Sequence, residues 1–377
     1  MKTSFFKSTV IVTAFTIAAV SGFIAGCSTD KDPIPVQDYN TSKITLIDSF
    51  EGAEFVVFAS GKYGLMQAYN RELDGTLLDL ELLPGRFPVI MKDNEGSEWN
   101  IFGIAVSGPA TGRKLKIMNT MMGYYFSFAA MFPEVTIYGE EEKDAIPIDS
   151  PDDGWLIDPT KLIFGSFKDG IPSLDLPELE LFNTSFKNEI YIKDEELVVV
   201  YHDGDVIRVF PHKILDWHEV INDESGLGNT VLSYCPLTGT ASLWSSQVAG
   251  ENLSFGVSGL LYNSNLILYD RLTESNWSQM LQQAVHGDLI ETIPEVLPYL
   301  EMTWAAARKL DDQLKVLSEN TGFGRDYDQY PYGDYRTNND FISYPLNFRD
   351  DRIPNKERVM AVIINGRAKV YRFSHFE

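Results

Sequence analysis

Leu197-Val198-Val199-Val200-Tyr201-His202-Asp203-Gly204-Asp205-Val206-Ile207-Arg208-Val209-Phe210 decides the fold class of this chain. Apolar, β-branched runs stand on both sides of Asp203-Gly204, a dipeptide suited to the positive φ of a tight hairpin turn. The spacing predicts a hairpin of residues 198–201 with 206–210. A second is predicted near the C-terminus, 359–364 with 368–373 across Asn365-Gly366. Working outward, shorter apolar runs fall at 55–58, 89–91 and 266–269, and Asp74-Gly75 adds another turn signal. Helical periodicity is scarce; residues 297–310 fit it best, with a counterpart at 124–131. The expectation is a mainly β fold of the α+β kind, with a few short helices.

The runs also recur in order. Phe55-Val56-Val57-Phe58-Ala59, Asp74-Gly75, Val89-Ile90-Met91-Lys92-Asp93, Ser97-Glu98-Trp99, Ala105-Val106-Ser107-Gly108 and Phe128-Ala129-Ala130 form one series. Val231-Leu232-Ser233-Tyr234-Cys235, Ala249-Gly250, Ile267-Leu268-Tyr269-Asp270, Ser275-Asn276-Trp277, Ala284-Val285-His286-Gly287 and Trp304-Ala305-Ala306 form the other. Agreement in order and spacing points to two related β-rich modules, 45–138 and 183–377. Between them, 139–182 is acidic and rich in proline, which reads as a connector.

The N-terminus has a different character. Lys2 and Lys7 precede an apolar run over 10–24, shorter than a membrane-spanning helix needs, and no acidic residue stands before Asp30. The run exits through Ile24-Ala25-Gly26-Cys27, which resembles the lipobox of bacterial lipoprotein precursors. That resemblance implies cleavage after residue 26 and lipidation of Cys27, with 27–44 as a polar tether. Ser28 after the cysteine does not favour inner-membrane retention, so the expected place is the cell envelope, at the outer membrane or cell surface. Removing residues 1–26 leaves 29 Lys+Arg against 54 Asp+Glu, a formal charge of −25. Such a surface repels phosphate backbones and argues against nucleic-acid binding. A hydrophobic fraction of 44% with 12% aromatics is that of a folding chain.

The second module carries specific words. Phe210-Pro211-His212-Lys213-Ile214-Leu215-Asp216-Trp217-His218-Glu219-Val220-Ile221-Asn222-Asp223 is followed by Tyr234-Cys235-Pro236-Leu237-Thr238-Gly239-Thr240-Ala241. Phe255-Gly256-Val257-Ser258-Gly259-Leu260, Tyr269-Asp270-Arg271, Thr321-Gly322-Phe323-Gly324-Arg325-Asp326-Tyr327 and Pro331-Tyr332-Gly333-Asp334-Tyr335 come later. Together, over roughly 55–373, they resemble the bacterial and archaeal family called domain of unknown function 3179. The resemblance implies no activity. Many relatives carry a second cysteine where this chain has Thr238, so two-cysteine chemistry is not expected here.

Cys235 is the sharpest chemical candidate, because lipidation of Cys27 leaves it as the single thiol. Three readings stay open. It could be a small core hydrophobe. It could ligate copper or zinc with His218, and His286 as a third ligand. It could be a nucleophile with His218 as base and Asp270 or Asn222 as orienter. Asp270 and Arg271, with Thr273, Ser275 and Trp277, form a polar cluster able to orient a ligand or merely to fix a loop. Ser258 is a further ligand-binding candidate, although Gly256-Val257-Ser258-Gly259 lacks the closing glycine of a nucleophile elbow. His218-Glu219-Val220-Ile221-Asn222 opens like a zincin helix but has Asn222 where the second histidine must stand. The aromatic segment 325–335 either covers the core or lines a pocket mouth.

The leading expectation is a lipid-anchored extracytoplasmic protein that binds a small ligand or metal. A thiol-dependent enzyme using Cys235 and His218 is the alternative, and a purely structural or interaction lipoprotein the third. The anchor is checked by radiolabelled palmitate: wild-type protein should carry label and sediment with membranes. Cys27→Ala should lose both properties; labelled, membrane-bound Cys27→Ala would remove the lipobox reading.

Overall fold

The hairpin on which the fold class rests forms as the sequence dictates. Leu197–His202 pairs antiparallel with Ile207–Pro211, bringing Tyr201 opposite Arg208. Gly204 takes φ +103°, and the Asp203 carboxylate accepts the amides of Asp205 and Val206, closing the turn. Arg208 then bridges Asp203 (2.7 Å) and Asp223 (2.8 Å). Val198, Val199 and Val200 are all buried, so both faces of this strand are covered and the run is apolar without alternation. In the computed structural model, residues 45–141, 154–183 and 190–376 are described. The signal segment, Cys27 and the tether lie outside the described residues, as does 142–153 of the connector.

The hairpin sits within a five-stranded sheet. In order these strands are Leu179–Asn183, Gln313–Leu317, Ile207–Pro211, Leu197–His202 and Leu300–Thr303. Ile207–Pro211 and Gln313–Leu317 run parallel. The C-terminal hairpin, Arg358–Ile364 with Arg367–Arg372, has the same surroundings. It has Thr120–Tyr124 antiparallel on one side and Thr136–Ile137 parallel on the other. Segments 45–138 and 183–377 thus share a sheet, within one compact unit. The described part of the connector supplies edge strands: Ile163–Phe164, Leu174–Asp175 and Leu179–Asn183 each extend a sheet formed by later residues. The chain is mainly β, with three short α-helices among the described residues: α1 (Tyr125–Met131), α2 (His212–His218) and α3 (Trp304–Ala307). Among the described residues no helix is long and apolar enough to cross a membrane.

Geometric features recur in the two parts. The meander Thr45–Phe50, Ala53–Ser60, Leu65–Asn70 closes with Ser60 opposite Leu65; Val220–Ser225, Gly228–Cys235, Thr240–Ser245 closes with Cys235 opposite Thr240. Gly64 (φ +59°) and Gly239 (φ +65°) occupy the same place in those two turns. Further on, the Trp99 indole donates to Asp93 and the Trp277 indole to Asp270, both at 3.0 Å. Ser97 accepts the amide of Ala110 just as Ser275 accepts that of Leu289.

The long helix expected over 297–310 does not form. Leu300–Thr303 is a strand, with Met302 opposite Val198, and α3 occupies four residues after it. Tertiary pairing overrides the apolar spacing; Pro298 is not the cause, since a proline this close to the start would be tolerated in a first helical turn. The open edge of Leu197–His202 then supplies the backbone partners.

Asp270 is wholly buried and holds its loop together. Its carboxylate accepts from the amides of Leu272 and Thr273, the Thr273 hydroxyl and the Trp277 indole. Asp270→Ala leaves several buried donors without an acceptor and should lower unfolding free energy by about 3 kcal/mol. Urea denaturation checks this; an unshifted midpoint would show that the loop stands without its carboxylate.

Candidate functional site

Stretches far apart in sequence meet beneath residues 325–336, which cross the surface as a strap. α2 contributes His212 and Asp216. The helix ends at Glu219, whose backbone enters the left-handed region (φ 56°) and whose amide donates to the Leu215 carbonyl. A buried, non-glycine residue in that region is a local strain that the surrounding packing must hold. The Tyr234 amide does so, donating to the Glu219 carbonyl at 2.7 Å. Tyr234 and Cys235 stand at the end of the neighbouring hairpin strand. Thr120–Tyr124 docks on the turn after it, the Tyr124 amide donating to the Thr238 carbonyl at 2.8 Å. Space there is tight: a Cβ on Gly123 would come within 2.5 Å of the Thr240 methyl.

The strap is fastened by side chains. Arg336 ion-pairs with Asp216 and lies over the Tyr330 ring at 3.8 Å. The Tyr332 hydroxyl donates to Glu219 Oε1 at 3.1 Å, and the Tyr335 hydroxyl to the Leu237 carbonyl at 3.0 Å. The Trp217 indole donates to the Gln329 carbonyl, and Lys213 to Asp328. Deeper still, His212 Nε2 lies 2.9 Å from Glu301 Oε2, which also accepts from Arg358 at 2.8 Å. Asp216 (2% exposed) and Glu301 (1%) each keep one oxygen without a protein partner, and the Tyr330 hydroxyl and Arg358 Nε are likewise unmatched. Buried polar atoms are almost always satisfied, so four unmatched ones in one cluster require an explanation.

Burial governs the protonation of this buried polar cluster. It pushes the Glu219 carboxyl up to about 8, with Tyr332 pulling down and Asp216 adding to the rise. It pushes Asp216 up against the pull of Arg336, and His212 down against the pull of Glu301. The Cys235 thiol rises to about 11, through burial first and the nearby Glu219 charge second. At neutral pH Cys235 is therefore a thiol, whereas nucleophilic attack and soft-metal ligation both need the thiolate. Its sulfur contacts the Ser264 carbonyl at 3.6 Å, and it packs among Tyr124, Leu237, Phe255 and Trp277.

The structure scatters the other candidates. His218 turns away from Cys235: Nδ1 lies 2.8 Å from the Pro172 carbonyl, which only accepts, so the proton resides on Nδ1. Nε2 then accepts from the Tyr327 hydroxyl at 2.7 Å. A Cys235–His218 catalytic dyad is not formed. His286 stacks on Trp155 at 4.1 Å in another part of the fold. Among the described residues no three of His, Cys, Asp and Glu converge as metal ligands, so Cys235, His218 and His286 do not make a copper or zinc site. Trp277 is core, and Asp270 is the loop anchor described above. Ser258 braces a bulge, donating to the Ile267 carbonyl and accepting from the Leu260 amide. Arg271 reaches Ser173 (2.6 Å) and Asp175 (3.2 Å) on the wall of a separate cleft of about 280 Å³.

His212, Asp216, Glu219, Tyr332 and Tyr335 come from the family-like words, and a family comparison agrees. The sequence model described as "Protein of unknown function (DUF3179)" matches residues 168–377, more than half of the chain. The chain belongs to the DUF3179 family. The matched stretch includes α2, Cys235 and the strap; the resemblance noted for 55–167 lies outside it. No curated protein and no solved structure matches this DUF3179 chain. Thr238, where relatives carry a second cysteine, is bonded instead into a buried hydroxyl–amide network with Thr240, Asn265 and Gln279. Sequence reasoning passed over Asp216, Glu219 and Tyr332, although the words that contain them were the available signal, and over Arg336, one residue beyond the last word.

Glu219 gives a test with a definite sign. Its folded pKa of about 8 lies above the ordinary 4.5, so burial costs no stability below about 4.5. Stability then falls as pH rises to about 8 and levels off beyond, by at most about 5 kcal/mol. Glu219→Gln should abolish that part of the decline, measured as the wild-type minus variant difference in urea unfolding across this range. An identical decline in both proteins would mean that Glu219 ionises freely.

Proposed function

We propose that this DUF3179 protein is a lipid-anchored component of the cell envelope that holds a small polar ligand in the chamber beneath the strap. The observation that carries this reading is the set of four buried, unmatched polar atoms, Asp216 Oδ1, Glu301 Oε1, the Tyr330 hydroxyl and Arg358 Nε. Two carboxylates, each held by an arginine on one oxygen and free on the other, call for hydrogen-bond donors from a guest. Tyrosine rings around them favour a ligand with some apolar surface. The ligand is organic in this reading, because the metal ligands first considered do not converge. Its anchor is the lipid expected on Cys27, and its acidic surface argues against nucleic-acid partners. Recurring turns and Asp–Trp contacts support a further part of the proposal, that the two halves are copies of one module and that only the second carries the site.

Native mass spectrometry tests the binding reading. Full-length protein extracted from its own envelope in mild detergent should exceed its lipidated polypeptide mass by a constant small increment. That increment should vanish on denaturation, and fall sharply in Asp216→Asn and Tyr330→Phe. A native mass equal to the lipidated chain alone would overturn the proposal.

A further inference from the structure

The cleft beside Arg271 lies between two short walls. One contains Leu174–Asp175, paired parallel with Val220–Ser225; the other, residues 318–323, continues from the strand Gln313–Leu317. The Ser318 amide donates to the Glu178 carbonyl at 2.9 Å and ties the two walls together. The volume of about 280 Å³ between them is bordered by Ser173, Asp175, Glu178, Ser318, Thr321 and Phe323. The Asp175 carboxylate is held by Asn222 at 2.6 Å and Arg271 at 3.2 Å. Among the described residues the Glu178 carboxylate has no hydrogen bond or ion pair.

The direction of the hydrogen bonds decides what such a cleft can hold. The His218 proton sits on Nδ1, against the Pro172 carbonyl, so Nε2 takes the hydrogen of the Tyr327 hydroxyl. The Tyr327 oxygen must then accept, and the Thr321 hydroxyl supplies that hydrogen. Thr321 is left with lone pairs alone to offer the cleft. Ser318 likewise donates to Glu180, and Ser173 leans toward Asp175 at 3.4 Å while accepting from Arg271 at 2.6 Å. The backbone amides of Ser318, Asn320, Thr321 and Phe323 are spent within the walls. Arg271 is committed to Ser173, Asp175 and Ser254. Apart from the Asn320 side-chain amide, the side chains around the cleft thus present acceptors: three hydroxyl oxygens and two carboxylates.

A guest for this lining must bring donors. An anion brings none, and a sugar hydroxyl needs a donor in return for each one it gives. A primary ammonium group has three hydrogens to give and accepts nothing. The half-exposed ring of Phe323 suits the same group, since a ring face attracts a cation. A metal ion is disfavoured, because among the described residues no three of His, Cys, Asp and Glu converge. We infer that this cleft binds the primary ammonium group of a small organic amine, with Glu178 as its counter-charge and Phe323 against its first carbons. The site is separate from the buried cluster beneath the strap and does not rest on the ligand proposed there.

Pentylamine and pentanol, which share a chain and differ in the head group, decide it. Each is titrated into full-length protein in non-ionic detergent at neutral pH and physiological salt, which screens the acidic surface. Saturation-transfer NMR on the small molecule reads the affinity. Pentylamine should bind saturably and pentanol should not. Glu178→Gln should weaken pentylamine about fivefold or more, and Phe323→Ala about threefold. Glu81→Gln, which removes an exposed carboxylate on another sheet, should bind as wild type does. Absence of saturable pentylamine binding, or equal binding of pentanol, would overturn the inference, and this comparison needs no variant. An equal loss in Glu81→Gln and Glu178→Gln would overturn it too, because the attraction would then belong to the acidic surface at large.

Discussion

The ion pair between Arg336 and Asp216 is the contact on which the second half of this protein is organised. Asp216 lies on α2 at 2% exposure, and its charge is compensated chiefly by an arginine delivered by a distant segment, with His212 of the same helix adding to it. Removing a carboxylate from water costs several kcal/mol, recovered only when the partner is well placed. That requirement brings the strap down over the helix. Once Arg336 is seated, Tyr330 packs under its guanidinium, Tyr332 meets Glu219 and Tyr335 meets Leu237. The pair therefore costs stability on its own account and returns it through the contacts it aligns.

The same constraint explains the strained helix end. α2 stops after seven residues because Glu219 turns left-handed, and the chain reverses into Val220–Ser225. A glycine there would relieve the backbone, yet it would delete the carboxyl that Tyr332 and Cys235 sense. Strain retained at a buried acidic residue, beside unmatched polar atoms, separates this locus from the rest of the core. Elsewhere the best-buried ion pairs are well satisfied: Asp270 alone takes several donors, and Arg208 is flanked by Asp203 and Asp223, although Glu134 keeps one oxygen unmatched.

What could be read from sequence follows from range. Hairpins whose turn residues sit between their strands were legible, as at Asp203-Gly204 and Asn365-Gly366, because the deciding interaction is local. Residues 297–310 misled because apolar spacing there fits a helix while an open sheet edge a hundred or more residues upstream selects a strand. His218 and Cys235 looked like partners by chemistry, but partnership depends on which way each side chain leaves its element. His218 leaves α2 toward Pro172 and Tyr327, whereas Cys235 points into the apolar core beside Ser264. Glu219, next to a more conspicuous histidine, had no local pattern to mark it, since its burial depends on a strap more than a hundred residues downstream.

The two meanders share their turn geometry, while the buried acidic cluster lies beside one of them only. Both close their central turn with a glycine at positive φ, after Ser60 in one case and Cys235 in the other. After the first hairpin sheet a full helix follows, α2, with Asp216 on it; the C-terminal hairpin leads into the short 3-10 turn Phe373–Phe376. A 3-10 turn of four residues has no room for a buried acid one turn in, nor for the left-handed carboxylate that ends α2. The strap, moreover, descends on one meander alone. Its site is thus set by which hairpin continues into a helix long enough to carry Asp216 inward.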